Sequence, residues 1–228
     1  MNVNGVSDSI PAAVMTKTLV INEIFLSIQG ESLKTGLPTA FIRLTGCPLR
    51  CRYCDTTYAF HNGSKMQIGN ILQTISEYRT PHVTVTGGEP LAQKECAALL
   101  RLLCDEGYQV SLETSGAIDV SGIDSRVARI LDIKTPGSGE HARNLVQNLD
   151  YLGRHDQVKF VICNREDFAW SKQFMFDHRL QDKCEILFSP SHEELPAVQL
   201  ADWILADRLP VRLQVQLHKY LWGDGPGR

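Results

Sequence analysis

The 228-residue chain carries 23 basic and 26 acidic side chains, a formal net charge of −3. This balance excludes the polycationic footprint of a duplex-DNA, bulk-RNA or anionic-membrane binder. With 43% hydrophobic and 21% charged residues, it has the means for a buried core and too little charge for a disordered chain. No apolar run approaches the roughly 18 residues of a membrane span, and the stretch 1–17 has Asp8 and no basic cluster before its short apolar run. A cytoplasmic protein is expected, with a flexible leader over 1–17 and a single domain over 18–228.

In chain order, apolar runs predict strands over 20–26 and 39–45, followed by a cysteine-bearing loop and a helix over 67–78. A β-branched strand over 82–86 runs into Gly87-Gly88. A helix over 91–106 is closed by Gly107, a C-cap signal. Further strands are predicted over 109–113, 130–134, 158–163, 184–189 and 211–216, with helices over 142–152, 167–180 and 197–207 between most of them. This alternation predicts an α/β fold with a mainly parallel sheet, an open or partial βα barrel of about six parallel strands. Chemistry in such folds gathers at the carboxyl ends of strands. The unusual segments fall there: the cysteine loop, Gly87-Gly88-Glu89-Pro90, Glu113-Thr114-Ser115-Gly116 and Lys134-Thr135-Pro136.

Seven cysteines in a chain without an export signal argue against a disulfide scaffold. Cys96, Cys104, Cys163 and Cys184 are scattered singly and read as small core hydrophobes. Trp170 and Trp203 likewise fall on apolar helix faces. Cys47, Cys51 and Cys54 are crowded into eight residues. Three readings stand: chance, a zinc site completed by a remote ligand such as His61, or an iron–sulfur cluster on three thiolates with one iron left open. Arg50 and Arg52, between the cysteines, are either solvated charges or a place where a reductant docks.

Gly87-Gly88-Glu89-Pro90 alone is a tight turn before a helix. Together with Cys47, Cys51, Tyr53 and Cys54 in the pattern C-x3-C-x-aromatic-C, it resembles the radical S-adenosylmethionine superfamily. The glycines would let backbone carbonyls reach the cofactor's ammonium, with Glu89 supporting that contact by charge. The stretches 22–31 (Asn-Glu-Ile-Phe-Leu-Ser-Ile-Gln-Gly-Glu), Phe41-Ile42-Arg43-Leu44, Cys54-Asp55-Thr56 and 217–223 resemble, more narrowly, the 7-carboxy-7-deazaguanine synthase family. The resemblance runs from residue 22 to 223.

That resemblance implies a radical-type partial barrel and a carbon–nitrogen lyase of queuosine synthesis. Such an enzyme converts 6-carboxytetrahydropterin to 7-carboxy-7-deazaguanine, with loss of ammonia, by hydrogen abstraction and ring contraction. It implies a [4Fe-4S] cluster on Cys47, Cys51 and Cys54, S-adenosylmethionine, and Mg²⁺ on Thr56. Cofactor contacts are implied from Tyr53, Cys54, Asp55, Gly88, Asp132, Ile133, Lys134 and Ser189, the last opening a loosely matching Ser-Pro-Ser-His run to His192. Substrate contacts are implied from Ile28, Gln29, Gly30, Arg43 and Thr86. His218 is expected at the end of the last strand, where its place in the terminal motif makes it a further substrate contact. Glu113 is read as touching the cofactor ribose or capping the turn at Ser115-Gly116. A flavodoxin- or ferredoxin-type electron donor and a homodimer complete the expectation, with no nucleic-acid or membrane partner. The competing classes are a glycyl-radical activating enzyme and a non-enzymatic zinc-binding module. Gln29-Gly30-Glu31 and Arg43 suit a small pterin better than a peptide.

Overall fold

The structure, a computed structural model, describes residues 12–192, 194–223, 225 and 227. Of the leader expected over 1–17, residues 1–11 lie outside the described residues. Its last part forms the helical turn α1 (Ala12–Met15), whose Val14 and Met15 pack against the core. The strands are β1 (Thr18–Ile28), β2 (Pro38–Leu44), β3 (Ser64–Gln67), β4 (His82–Gly87), β5 (Gln109–Thr114), β6 (Ala128–Ile133), β7 (Gln157–Ile162), β8 (Glu185–Pro190) and β9 (Arg212–Leu213). They form one open sheet in the order β3-β1-β2-β4-β5-β6-β7-β8-β9. From β2 through β9 every neighbouring pair is parallel, while β1 and β3 add an antiparallel edge.

Helices α2 (Ile68–Glu77), α3 (Cys96–Asp105), α4 (Arg165–Asp177) and α5 (Ala197–Ala206) follow in the connections, and α6 (Leu217–Trp222) is the last helix among the described residues. In α2 the buried residues Ile68, Ile71, Leu72 and Ile75 follow the i, i+3, i+4, i+7 rule of a core-facing helix. Cys96, Leu99, Leu100 and Leu103 repeat the pattern in α3. Each such side chain contributes about 1.5–3 kcal/mol on burial.

Strand side chains alternate between the two faces of the sheet. One set packs in the core: Ala40, Ile42 and Leu44; Val83 and Val85; Val110 and Leu112; Leu131 and Ile133; Val158, Phe160 and Ile162; Ile186 and Phe188. The opposite set includes Phe41 and Arg43, Thr86, Glu113, Asp132, Lys159 and Ser189, which surround the concave face of the open barrel. The period of two therefore sends the polar residues of otherwise apolar strands into one interior.

The structure corrects the sequence reading in several places. β3 was not foreseen, because Met66 is its single apolar residue, while parallel pairing joins six strands and the two-residue β9, as the partial barrel of about six implied. The helix expected over 91–106 is a 3-10 turn (Pro90–Ala92) followed by α3. Gln93 interrupts it by turning its amide to Val20 N, Val20 O and Thr45 O. The C-cap expectation is met: Gly107 lies at φ 85° and Tyr108 N donates to Leu103 O. The helix expected over 142–152 is absent. Two 3-10 turns, His141–Arg143 and Val146–Tyr151, stand there instead. Asn144 pairs with both Lys134 N and O, and Asn148 with Val120 N, Gly116 O and Ile118 O, bonds that draw the segment out of a helix. The strand expected over 211–216 shrinks to Arg212–Leu213, and His218 lies in α6. The chain turns there because Leu217 N donates to Gly30 O across the open side of the barrel.

Trp170 and Trp203 pack against the core, as do Cys96, Cys104 and Cys184. Cys163 does not join them. It is half-buried, its amide donates to Asp167, and burial with Glu194 beside it pushes its thiol up.

Candidate active site

A cavity of about 580 Å³ occupies the barrel interior at the carboxyl ends of the parallel strands. Every residue the resemblance assigned to a site lines it except Ile133, whose side chain turns into the core. The cavity joins Cys47, Cys51, Tyr53, Cys54, Asp55 and Thr56 to Gly88, Asp132, Lys134 and Ser189, and to Ile28, Gln29, Gly30, Arg43, Thr86, Glu113 and His218. Pro190, Ser191 and His192 line it too, whereas His61, the remote zinc ligand considered above, is exposed and does not.

The cysteine loop follows β2. Arg50 clamps it, donating through Nη1 to Cys47 O and Leu49 O at 2.7 Å each and lying over the Phe60 ring. Arg52 N donates to Ser138 O. All three thiols are free and half-buried. Burial raises each of them, that of Cys51 to about 11, and each of Cys47 and Cys51 is raised further by its neighbours in the loop; Lys134 opposes the rise. Among the described residues no three His, Cys, Asp or Glu side chains converge on one metal ion. Three thiols on one short loop, all facing one cavity, suit a cluster held by soft thiolates.

The Gly87-Gly88 turn is pressed against that loop. A Cβ on Gly88 would stand 2.4 Å from Gly46 O and 2.7 Å from Cys47 Cβ, and one on Gly87 2.3 Å from Leu44 O. The missing side chains thus first allow the turn to seat beside the cysteine loop, with Glu89 N donating to Gly46 O at 2.8 Å. We expect Gly88→Ala to displace the loop backbone and, at about 1–3 kcal/mol of overpacking, to lower bound iron and sulfide after anaerobic reconstitution while far-ultraviolet circular dichroism is retained. Full cluster content in the variant would contradict this.

Glu89, expected to support the cofactor contact by charge, does not line the cavity. Its fully buried carboxylate accepts from Leu91 N, Thr114 Oγ1, Ser115 N and Ser115 Oγ, tying the end of β4 to that of β5. Nor does Glu113 cap Ser115-Gly116, since Glu89 does that. Glu113 accepts from Thr86 Oγ1 at 2.8 Å and faces Gln29 Nε2 at 3.5 Å. Burial, with Glu31 nearby, raises its carboxyl above the usual range.

Four buried charges cross the interior. Lys159 Nζ lies 2.8 Å from Glu31 and 3.5 Å from Asp132, and Lys134 Nζ 3.0 Å from Asp132. Burial opposes the charge on both lysines, but the carboxylates beside them hold both ammonium groups protonated. Asp132 Oδ1 and Tyr53 Oη are buried without a partner. Sequence reasoning missed Lys159. Its signal was a lone lysine at an inward position between Val158 and Phe160.

Arg43 is braced by Glu23 at 2.7 Å and by the Phe25 and Tyr58 rings, leaving the rest of its fork for a ligand. Thr56 Oγ1 donates to Asp55 Oδ1, and Asp55 Oδ2 accepts from Gln216 and Lys219. Burial by itself would raise the Asp55 carboxyl, yet these donors hold it well below the usual range.

Burial lowers His218, the neighbouring Glu31 and Asp55 not fully offsetting it. Its ring is therefore neutral at pH 7. A group lowered in the folded state costs stability only as pH falls below its unfolded value near 6.5. We expect the His218 Cε1–H resonance to titrate with a midpoint below 6.5; a midpoint above 7 would show the carboxylates prevail.

Residues 41–135 match the Radical SAM superfamily, so the fold and the cysteine loop define a radical SAM protein. The chain is 46% identical, over 90% of its length and 94% of the relative's, to the 7-carboxy-7-deazaguanine synthase of Chlorobaculum tepidum. It is 40% identical to that of Koribacter versatilis, over 89% of this chain and 96% of that one. The crystal structure of QueE from Escherichia coli superposes with a TM-score of 0.74 at 24% identity, covering 88% of this chain and 95% of that chain. The chain belongs to the 7-carboxy-7-deazaguanine synthase family.

Proposed function

We propose that this chain converts 6-carboxytetrahydropterin to 7-carboxy-7-deazaguanine with loss of ammonia, as a step of queuosine synthesis. One observation carries the reading: the three-thiol loop, the Gly87-Gly88 turn and the Gln29–Thr86–Glu113 cluster open into one cavity. Cys47, Cys51 and Cys54 would hold a [4Fe-4S] cluster. Held there beside S-adenosylmethionine, such a cluster would supply one-electron chemistry.

The protein's own part is to bind, orient and exclude water. Gly88, Tyr53, Asp55, Lys134 and Ser189 frame the cofactor's side of the cavity, and the orphaned Asp132 Oδ1 offers an acceptor there. Ile133 is left with backbone contacts alone. Glu113, beside Gln29 and Thr86, belongs to the substrate: a buried carboxylate next to an amide matches the paired N–H donors of a pterin edge. Arg43 offers the remainder of its planar fork to the substrate carboxylate. Gly30 leaves room for His218, whose Nδ1 a Cβ at that position would meet at 2.0 Å. The neutral His218 ring can then donate and accept one hydrogen bond each.

Mg²⁺ on the Thr56 hydroxyl belongs to the same reading, with substrate oxygens and water filling the remaining positions the ion demands. So does a flavodoxin- or ferredoxin-type donor. Among the described residues the outer edge of β9 is unpaired, and with exposed Leu213, Val215, Tyr220 and Leu221 it favours a homodimer. Among the described residues no helix is long and apolar enough to cross a membrane.

The test is mass spectrometry of an anaerobic reaction of the reconstituted, reduced protein with S-adenosylmethionine, Mg²⁺ and 6-carboxytetrahydropterin. The expected product is 7-carboxy-7-deazaguanine. 5′-Deoxyadenosine without it would overturn the substrate, and neither product from cluster-loaded protein would overturn the reading itself.

A further inference from the structure

At the opposite end of the barrel, against the amino ends of β5 and β6, lies a second, shallower cavity of about 400 Å³. It is lined by Lys34, Tyr108, Gln109, Val110, Ser125, Arg126, Ala128 and His155, with no acidic side chain among them. Hydrogen-bond donors dominate the wall: an ammonium, a guanidinium, two hydroxyls and an imidazole.

Lys34 is the residue that decides its character. Its Nζ lies 3.2 Å from Gln109 O and 3.4 Å from His82 Nδ1, and among the described residues no carboxylate pairs with it. Lys134 and Lys159 share Asp132, Lys172 faces Asp207 and Lys219 faces Asp55, whereas half-buried Lys183 donates to Leu149 O; of these lysines Lys34 is the one that lines a cavity without a carboxylate beside it. Arg126 is already offset by Asp105 and Asp124, and His155 stands 3.6 Å from Asp156. Arg126 Nε and Nη2 are engaged by those carboxylates, which leaves Nη1 toward other acceptors. Among the described residues, Lys34 is thus the cationic side chain of this wall that no carboxylate faces. An ammonium partly withdrawn from water without a counter-ion is a standing cost that a bound anion relieves. The depression of both Lys34 and His82 by burial, His82 further by the Lys34 charge, is consistent with that uncompensated state.

We propose that this cavity binds a phosphate-bearing small molecule, with Lys34 as the charge partner and Arg126, Ser125 and Tyr108 as flanking donors. Lys34 sits on the β1–β2 connection, which also carries Gln29 and Glu31 of the upper cavity, and this connection spans the barrel: Leu33 N donates to Gln157 Oε1 and Gln214 Nε2 to Thr35 Oγ1. A phosphate seated on Lys34 therefore anchors the underside of the loop whose other end forms the floor of the active site. This assignment stands on Lys34 and its surroundings and is independent of the reaction proposed above.

The test is isothermal titration of the full-length protein with orthophosphate, tripolyphosphate and a nucleoside triphosphate at fixed ionic strength, beside Lys34→Met, Lys34→Arg and the surface control Lys65→Met. Saturable binding is expected in the wild type and Lys65→Met, about tenfold or more weaker in Lys34→Met, and kept in Lys34→Arg. Equal affinity for orthophosphate and tripolyphosphate identifies free phosphate as the ligand, and preference for the nucleotide identifies a nucleoside phosphate. Undiminished binding in Lys34→Met, displacement by S-adenosylmethionine, or no saturable binding by any of the three overturns the proposal.

Discussion

Cys51→Ala protein forms no 5′-deoxyadenosine from S-adenosylmethionine above background, although it remains folded. Cys51 is the middle thiol of the loop and shares one cavity with Cys47 and Cys54. Two thiolates cannot hold a cluster that leaves one iron open for the cofactor. The chain should tolerate the change, because the Cys51 side chain is half-buried and the loop is held independently by Arg50 and by Arg52 N to Ser138 O. A loss of about 1 kcal/mol is a common price for such a substitution, a few degrees in melting temperature for a domain of this size. Iron and sulfide analysis, the visible spectrum and the cleavage assay are run on one preparation. Cleavage at wild-type rate by clean Cys51→Ala protein would remove the cluster from this loop.

Lys159→Met has the largest expected effect on stability. Its ammonium is the shared partner of Glu31 and Asp132 in the barrel interior, with side-chain exposures of 13%, 12% and 18%. Removing it leaves two buried carboxylates facing each other with Lys134 alone to serve one of them, and an uncompensated buried charge costs about 3–5 kcal/mol. Urea denaturation at pH 7 should show a drop of that order. The pH dependence identifies the cause. In the wild type Asp132 is held low, its lysines outweighing its burial, so its contribution to stability is lost as pH falls. In the variant the carboxylates are raised instead, the folded state takes up protons first, and stability relative to wild type improves as pH is lowered from 7 towards 5. Adding Glu31→Gln to Lys159→Met should recover part of the loss, giving a non-additive cycle. A cost below about 1 kcal/mol that is flat with pH would show the four charges to be independent of one another.

The place of the active site was legible because its signals are local. Crowded thiols need no tertiary information to be noticed, and Gly87-Gly88-Glu89-Pro90 follows its strand directly. The inward residues of the strands follow from a period of two: in the run 39–45, Ala40, Ile42 and Leu44 take one face and leave Phe41 and Arg43 the other. The roles of Glu89 and Glu113 were not legible. Both precede turns at strand ends, and which of them caps Ser115 depends on how β4 and β5 lie side by side.

Elements failed where remote partners outbid local preference. The stretch 142–152 has helical spacing, but Asn144 and Asn148 spend their amides on the backbones of residues 116–120 and 134, and no periodicity encodes those bonds. β3 forms because β1 presents an edge to it, not because its own residues demand a strand.

Composition, the thiol spacing and the alternation of strands with helices determine the α/β class, the end of the barrel that carries chemistry and the residues that face it. These follow from short-range sterics and from apolar burial at fixed periods. Tertiary structure alone decides the partners of the buried charges. Glu31 and Lys159 stand 128 positions apart, and their bond exists because the β1–β2 connection crosses the barrel beneath β7. Among the described residues it likewise sets no carboxylate beside Lys34, since an ion pair depends on distance and burial after the chain has closed, which no pattern along the chain records.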